Sequence, residues 1–303
     1  MIVSASYRTD IPAFYADWFA RRLDAGYAMV ANPYGGAPYR VALTPPAASG
    51  FVFWTRNIAP FRPVLARLRE ADMPFVVQYT LTGYARALEP SVVGEDEALA
   101  QMRELADAFG PRSLVWRYDP VLVSTPTPPA FHRRRMARLA AALTGTVDEV
   151  CLSFAHIYAK TRRNLQAAAH RHGFVWHDPA PADKRSLLAE LTAIAGDHGI
   201  TATVCSQPEL GGTPAQCIDA DRLADVAGRP LPARRKGNRP GCLCAESRDI
   251  GAYDSCPHGC VYCYAVRSRR AAQTGRRAHD PDGAFLLPPS AGKQAVPNES
   301  KAH

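Results

Sequence analysis

The chain has 303 residues, 47% of them hydrophobic, which is enough to bury one large core and form a single main globular unit. No apolar stretch is as long as a membrane span. Residues 1–14 have neither a basic lead nor an apolar core, which argues against a signal peptide and for a cytoplasmic protein. The net charge of +8 is moderate and uneven: residues 264–303 hold seven Lys/Arg against three Asp/Glu, and Arg234, Arg235, Lys236 and Arg239 form a second basic knot. Neither basic stretch carries a helix-turn-helix, zinc-finger or RNA-binding signature.

Short apolar runs alternate with helical periodicity along the chain. Strands are expected at residues 2–6, 51–55, 75–80, 114–117, 150–154 and 201–205. Between the first two, residues 29–32 and 39–42 flank Pro33-Tyr-Gly-Gly and read as a hairpin. Helices are expected over 60–71, 95–109 and 131–143. Another would be capped by Asp183, with Leu187, Leu188, Leu191 and Ile194 at core spacing. Residues 124–129, with three prolines, and 206–212, with Pro208 and two glycines, read as loops; 217–226 suits a short helix. Residues 227–241 are rich in Gly, Pro and Arg, cysteines crowd 242–264, and the chain from 288 on has a disordered composition.

Six strand–helix units in a row point to an α/β fold, specifically a (β/α) barrel, complete or partial, carrying a C-terminal cysteine-rich iron–sulfur segment. An open doubly wound sheet shares the alternation, but no glycine-rich fingerprint follows the first strand. The expected division is a barrel-like domain at 1–226, a cluster-binding segment at 227–287 packed on it, and a tail at 288–303. Polar residues gather where strands end, and in a barrel those ends share one rim. Candidates for binding or catalysis are therefore Arg8, Asp10, Arg56, Asn57, Gln78, Arg117, Asp119 and Glu209. The competing reading makes Asp10 a helix cap and Arg117–Asp119 an internal ion pair.

Seven of the eight cysteines follow residue 204 in a chain large enough to need no disulfides, which reads as metal ligation in a reducing compartment. Cys256, Cys260 and Cys263 have the spacing C-x₃-C-x₂-C, so three thiolates can hold three irons of a [4Fe–4S] cluster and leave the fourth open. A structural zinc site is the alternative. Cys205, Cys217, Cys242 and Cys244 form a second ligand set. It suits another cluster or zinc, or it supplies a fourth ligand that closes the first cluster. Cys151, inside an apolar run, reads as a packed core thiol.

The stretch from Tyr253 through Cys256, Cys260, Tyr262 and Cys263 to Ala265 resembles the cluster loop of radical S-adenosylmethionine (radical SAM) proteins, most closely the spore photoproduct lyase-like branch. The resemblance implies that Tyr262 lies against the cofactor and that S-adenosylmethionine binds the open iron. It also implies an electron donor such as ferredoxin or flavodoxin. In that superfamily the loop follows the first barrel strand, whereas here it comes last, so a circularly permuted barrel is implied. The whole chain also resembles a bacterial family defined as a domain of unknown function with a C-terminal cysteine cluster. The matching pieces are residues 4–12, Phe53-Trp-Thr-Arg-Asn57, Arg117-Tyr-Asp-Pro120, Cys217-Ile-Asp219 and 242–264. The functional expectation is a radical SAM-like iron–sulfur enzyme acting on a small molecule or nucleic acid, with no membrane partner. The alternatives are an iron–sulfur redox or electron-transfer protein without SAM, and a zinc-stabilised nucleic-acid-binding module.

Overall fold

The computed structural model describes residues 1–33, 35–237, 239 and 241–289. In chain order the elements are β1 (Ile2–Ser4), α1 (Ile11–Phe14), α2 (Ala16–Ala25), β2 (Tyr27–Val30), β3 (Tyr39–Ala42), β4 (Gly50–Thr55), α3 (Arg62–Glu70), β5 (Phe75–Thr80), α4 (Glu95–Phe109) and β6 (Leu114–Val121). They continue with α5 (Pro129–Leu143), β7 (Glu149–Phe154), α6 (Ala159–His172), α7 (Pro181–Asp197), β8 (Thr201–Val204), β9 (Thr213–Pro214), α8 (Ala220–Ala227), β10 (Ser247–Asp249) and α9 (Arg269–Arg277). Eight strands form one parallel sheet in the order β10-β1-β4-β5-β6-β7-β8-β9, while β2 and β3 make a separate antiparallel hairpin.

All six expected strands form, in chain order and parallel, because each is a short apolar run followed by a connection long enough for a crossover. Two more strands were not legible. β9 has two residues, and β10 reads Ser-Arg-Asp, with no apolar residue to reveal it. Among the described residues no ladder joins β9 to β10. The two sides of that gap meet through one backbone hydrogen bond, from Ala245 N to Ile218 O at 2.8 Å. The fold is thus a mixed α/β structure around a parallel sheet. Asp183 does not cap its helix: α7 starts two residues earlier at Pro181, whose fixed φ and missing N–H suit the first helical position. The expected disordered tail lies, from residue 290 on, outside the described residues. No helix among the described residues is long and apolar enough to cross a membrane.

The two faces of the sheet differ. On β4, Phe51 and Phe53 point outward and pack edge-on against Phe19 of α2, with Phe61 completing the aromatic group. The alternate residues point inward. Ile2, Val52, Val76, Val115 and Cys151 form an inner layer with Cys205, Cys217, Ile218, Cys244 and Leu223 of α8. α8 is pinned there by its own cap, Asp219, and by buried Arg222, which bonds Asp148 at 2.9 Å and Glu149 at 2.7 Å where β7 begins. Period-two alternation therefore sends the aromatic mass to the helices and the thiols to the inside.

Behind β6, His132 of α5 is fully buried, with Nδ1 2.9 Å from the Tyr118 hydroxyl and Nε2 3.1 Å from Leu122 O. Burial depresses its pKa to about 4. Between pH 6.5 and 4 the unfolded chain takes up a proton that the folded one refuses, so stability falls as pH drops through that window. The loss reaches about 3 kcal/mol from this group once pH is below the folded value. Urea unfolding from pH 7 to 4 is expected to show this slope, and His132→Gln to flatten it; an unchanged slope in the variant would refute the assignment.

Candidate functional site

β1, β4, β5 and β6 run parallel, so the residues that follow them emerge at the same end of the sheet. The cysteine loop lies across that end. Asp10, after β1, accepts from Ala13 N as the cap of α1 and from Arg56 N at 2.8 Å, and it meets His258 Nε2 at 2.8 Å. Arg56, after β4, donates to Glu89 at 2.8 Å and to the Tyr262 hydroxyl at 2.7 Å, and Tyr262 in turn donates to Glu89. Burial opposes the Arg56 charge, but Glu89, Tyr262 and Cys260 outweigh it and hold the guanidinium firmly protonated. Tyr15 of α1–α2 donates to Ser255 O at 2.6 Å. The triplet loop is therefore tied to strand ends at His258 and Tyr262, between its cysteines, and to Tyr15 just ahead of Cys256.

Cys256, Cys260 and Cys263 are half-buried free thiols that interact electrostatically with one another, and at least one sulfur–sulfur separation among them exceeds 4.8 Å. Burial raises all three pKa values, that of Cys260 to about 12, while Arg56 pulls Cys260 and Cys263 down and Lys160 also pulls Cys263 down. Gly259 sits at φ +79° inside the loop, a conformation that a side chain would strain. The Ala265 N–H donates to Cys263 Sγ at 3.4 Å.

A second thiol group lies below, on the inner face. Cys151 of β7, Cys205 just past β8 and Cys217 just past β9 bring their sulfurs within 4.8 Å of one another, with Cys205 and Cys217 3.4 Å apart. Arg117 donates to Cys217 Sγ at 3.0 Å and Arg239 to Cys205 Sγ at 3.4 Å. Thiol hydrogen bonds from Cys151, Cys205 and Cys244 push Cys217 well below its ordinary pKa. The arrangement could hold a metal ion. Cys151 is a core thiol, as its apolar run suggests, but it also joins this group. The legible signal was its period-two register with Glu149 and Ser153.

A chain matched by a family profile over residues 2–265 is assigned by nearly its whole length. This chain belongs to the family described as Domain of unknown function (DUF1848). No curated protein and no solved structure matches it.

The other sequence candidates fall in distinct places. Gln78 donates to Cys217 O at 3.0 Å and accepts from Arg117, and Asp119 is bonded by Arg117 and Ser153, so these three line the thiol group. Asn57 is not brought to either cysteine set: its side-chain oxygen accepts from Ala59 N and Gln101. Glu209 is exposed on a turn at Pro208–Leu210. Cys242 is half-buried beside Cys244. Arg8 is locked to Asp249 at 2.8 Å and faces a cleft of about 300 Å³ that Tyr7, Tyr39, Arg248 and Tyr253 also line.

Glu89, His258 and Asp249 were missed by strand-end reasoning because their partners are remote in sequence. Asp249 of β10 accepts from Ser4 at 2.5 Å, Ser6 at 2.8 Å, Tyr7 N at 3.1 Å and Gly251 N at 2.9 Å, besides Arg8. A Cβ at Gly251 would stand 2.0 Å from Ser6 Oγ, so only glycine lets the two segments close. Asp249→Ala leaves a buried guanidinium unpaired and is expected to cost about 3–5 kcal/mol in urea unfolding. Gly251→Ala should weaken the same contact. An unchanged unfolding midpoint in both variants would show that β10 is held by something else.

Proposed function

We propose that the protein is an iron–sulfur enzyme of radical SAM-like type, with Cys256, Cys260 and Cys263 holding a [4Fe–4S] cluster. The observation that carries this reading is the triplet itself. Three thiols from one eight-residue loop lie near one another at the C-terminal end of a parallel sheet, in the C-x₃-C-x₂-C spacing that can hold three irons of a cluster. When bound, the cluster would supply one electron, and reductive cleavage of S-adenosylmethionine to methionine and a 5′-deoxyadenosyl radical is the chemistry that the resemblance implies.

The chain's own groups would do the rest. Arg56 and Lys160 offset thiolate charge at Cys260 and Cys263. The Asp10–His258 and Arg56–Glu89–Tyr262 contacts hold the loop in register with β1, β4 and β5. Tyr262 keeps its proton, because burial raises its pKa well above the ordinary phenol value, so it donates to Glu89 while accepting from Arg56. The cleft beside β10 is lined by exposed Arg248 and by the rings of Tyr7, Tyr39 and Tyr253, with Arg8 already neutralised by Asp249, a lining that suits an anionic, ring-bearing substrate.

Anaerobically prepared protein is expected to carry about four irons at the triplet and to show broad visible absorption. The Cys256→Ala/Cys260→Ala/Cys263→Ala variant should lose that iron and still fold, since the main hydrophobic core does not include these side chains. With dithionite and S-adenosylmethionine the wild type should release 5′-deoxyadenosine. Iron without cleavage would leave an iron–sulfur redox protein that does not use SAM; full iron in the triple variant would reject the triplet as ligands.

A further inference from the structure

We infer that Cys151, Cys205, Cys217 and Cys244 form a separate metal site that takes a single tetrahedral divalent ion, zinc by its donor set, and fastens the open side of the sheet. The inference does not depend on the cluster proposed at the triplet.

The geometry carries it. Among the described residues, Cys151, Cys205 and Cys217 are the one group of three metal-ligating side chains whose donor atoms all lie within 4.8 Å. With Zn–S bonds of about 2.3 Å, a tetrahedral tetrathiolate has sulfur–sulfur edges of about 3.8 Å, a spacing close to that of Cys205 and Cys217 at 3.4 Å. Cys244 is the nearest fourth donor: its thiol is hydrogen-bonded to that of Cys217, and its sulfur accepts from Ile218 N at 3.3 Å. It completes the tetrahedron by closing on the other two sulfurs, at least one of which lies beyond 4.8 Å from it. Cys242 stays at the edge, half-buried against Cys244.

The surroundings fit a charged thiolate centre. Four thiolates around a divalent ion leave two negative charges, which a dry interior of Val52, Val76, Val115 and Ile218 cannot accept unaided. Two guanidiniums already donate to the sulfurs, Arg117 at 3.0 Å and Arg239 at 3.4 Å, and Gln78 orients Arg117. The placement explains a purpose. Cys151 belongs to β7, Cys205 follows β8, Cys217 follows β9, and Cys244 precedes β10. One ion would therefore join the β9 side to the β10 side, adding to the bonds from Ala245 N to Ile218 O and from Ile218 N to Cys244 Sγ.

The test uses the full chain carrying Cys256→Ala/Cys260→Ala/Cys263→Ala, so that failure of the triplet reading cannot be mistaken for failure of this one. Elemental analysis after dialysis is expected to find about one zinc per chain, retained in Cys242→Ser and lost on adding Cys151→Ser or Cys217→Ser. Because those last variants can misfold, the metal-stripped protein with all four thiols intact is also titrated with Co²⁺, which should give the intense visible absorption of a tetrahedral tetrathiolate at one equivalent. Arg239→Gln should speed zinc loss to a chelator several-fold. The inference is overturned by four freely reactive thiols with no retained zinc, by zinc retention in Cys151→Ser, by octahedral-type cobalt spectra, or by iron with labile sulfide at these residues.

Discussion

The carboxylate of Asp249 is the constraint on which the rest of the structure depends. It sits on a three-residue strand with no apolar residue, so β10 cannot be held by hydrophobic burial of its own side chains. Instead one buried acceptor takes hydrogen bonds from both serines of the first strand's end, from the Tyr7 amide and from the Arg8 guanidinium. Charge-assisted bonds of this kind are the strong class, and here they converge on a buried carboxylate. Because β10 lies a few residues before the triplet loop, fixing Asp249 against β1 also fixes where the cysteines begin.

The same logic recurs one layer out. Asp10 and Arg56 leave adjacent strands and each reaches a residue of the loop, His258 and Tyr262. Neither pair stands alone: Asp10 is also a helix cap, and Arg56 is shared with Glu89. Buried charges that are fully partnered rigidify their surroundings, whereas partly partnered ones would be costly. The loop thus inherits the rigidity of the sheet instead of resting on it as a flexible appendage. Rigid placement is what a redox centre needs if a second molecule is to react beside it.

The two thiol groups differ in the physical property that selects a metal. The triplet comes from one short loop, is half-buried and is wide; the inner group comes from distant points of the chain, is buried and is tight. A wide open triplet suits a cluster with an exposed iron, and a tight closed group suits a single ion with a structural role. The positive charges also divide between them, Arg56 and Lys160 above, Arg117 and Arg239 below.

By itself the sequence determined the six main strands, most of the helices and the triplet, because these depend on local periodicity and on cysteine spacing within eight residues. It also placed Arg8, Asp10, Arg56 and Arg117 near strand ends, where parallel pairing alone makes them neighbours. The tertiary structure decided what lies between: that Asp249 rather than a ligand holds Arg8, that Asn57 turns toward α4, and that Cys151 joins Cys205 and Cys217. Those outcomes depend on how segments up to 241 residues apart are placed against one another, and a one-residue slip in strand register would send each strand side chain to the opposite face. No local pattern encodes that register; the packing of the whole sheet does.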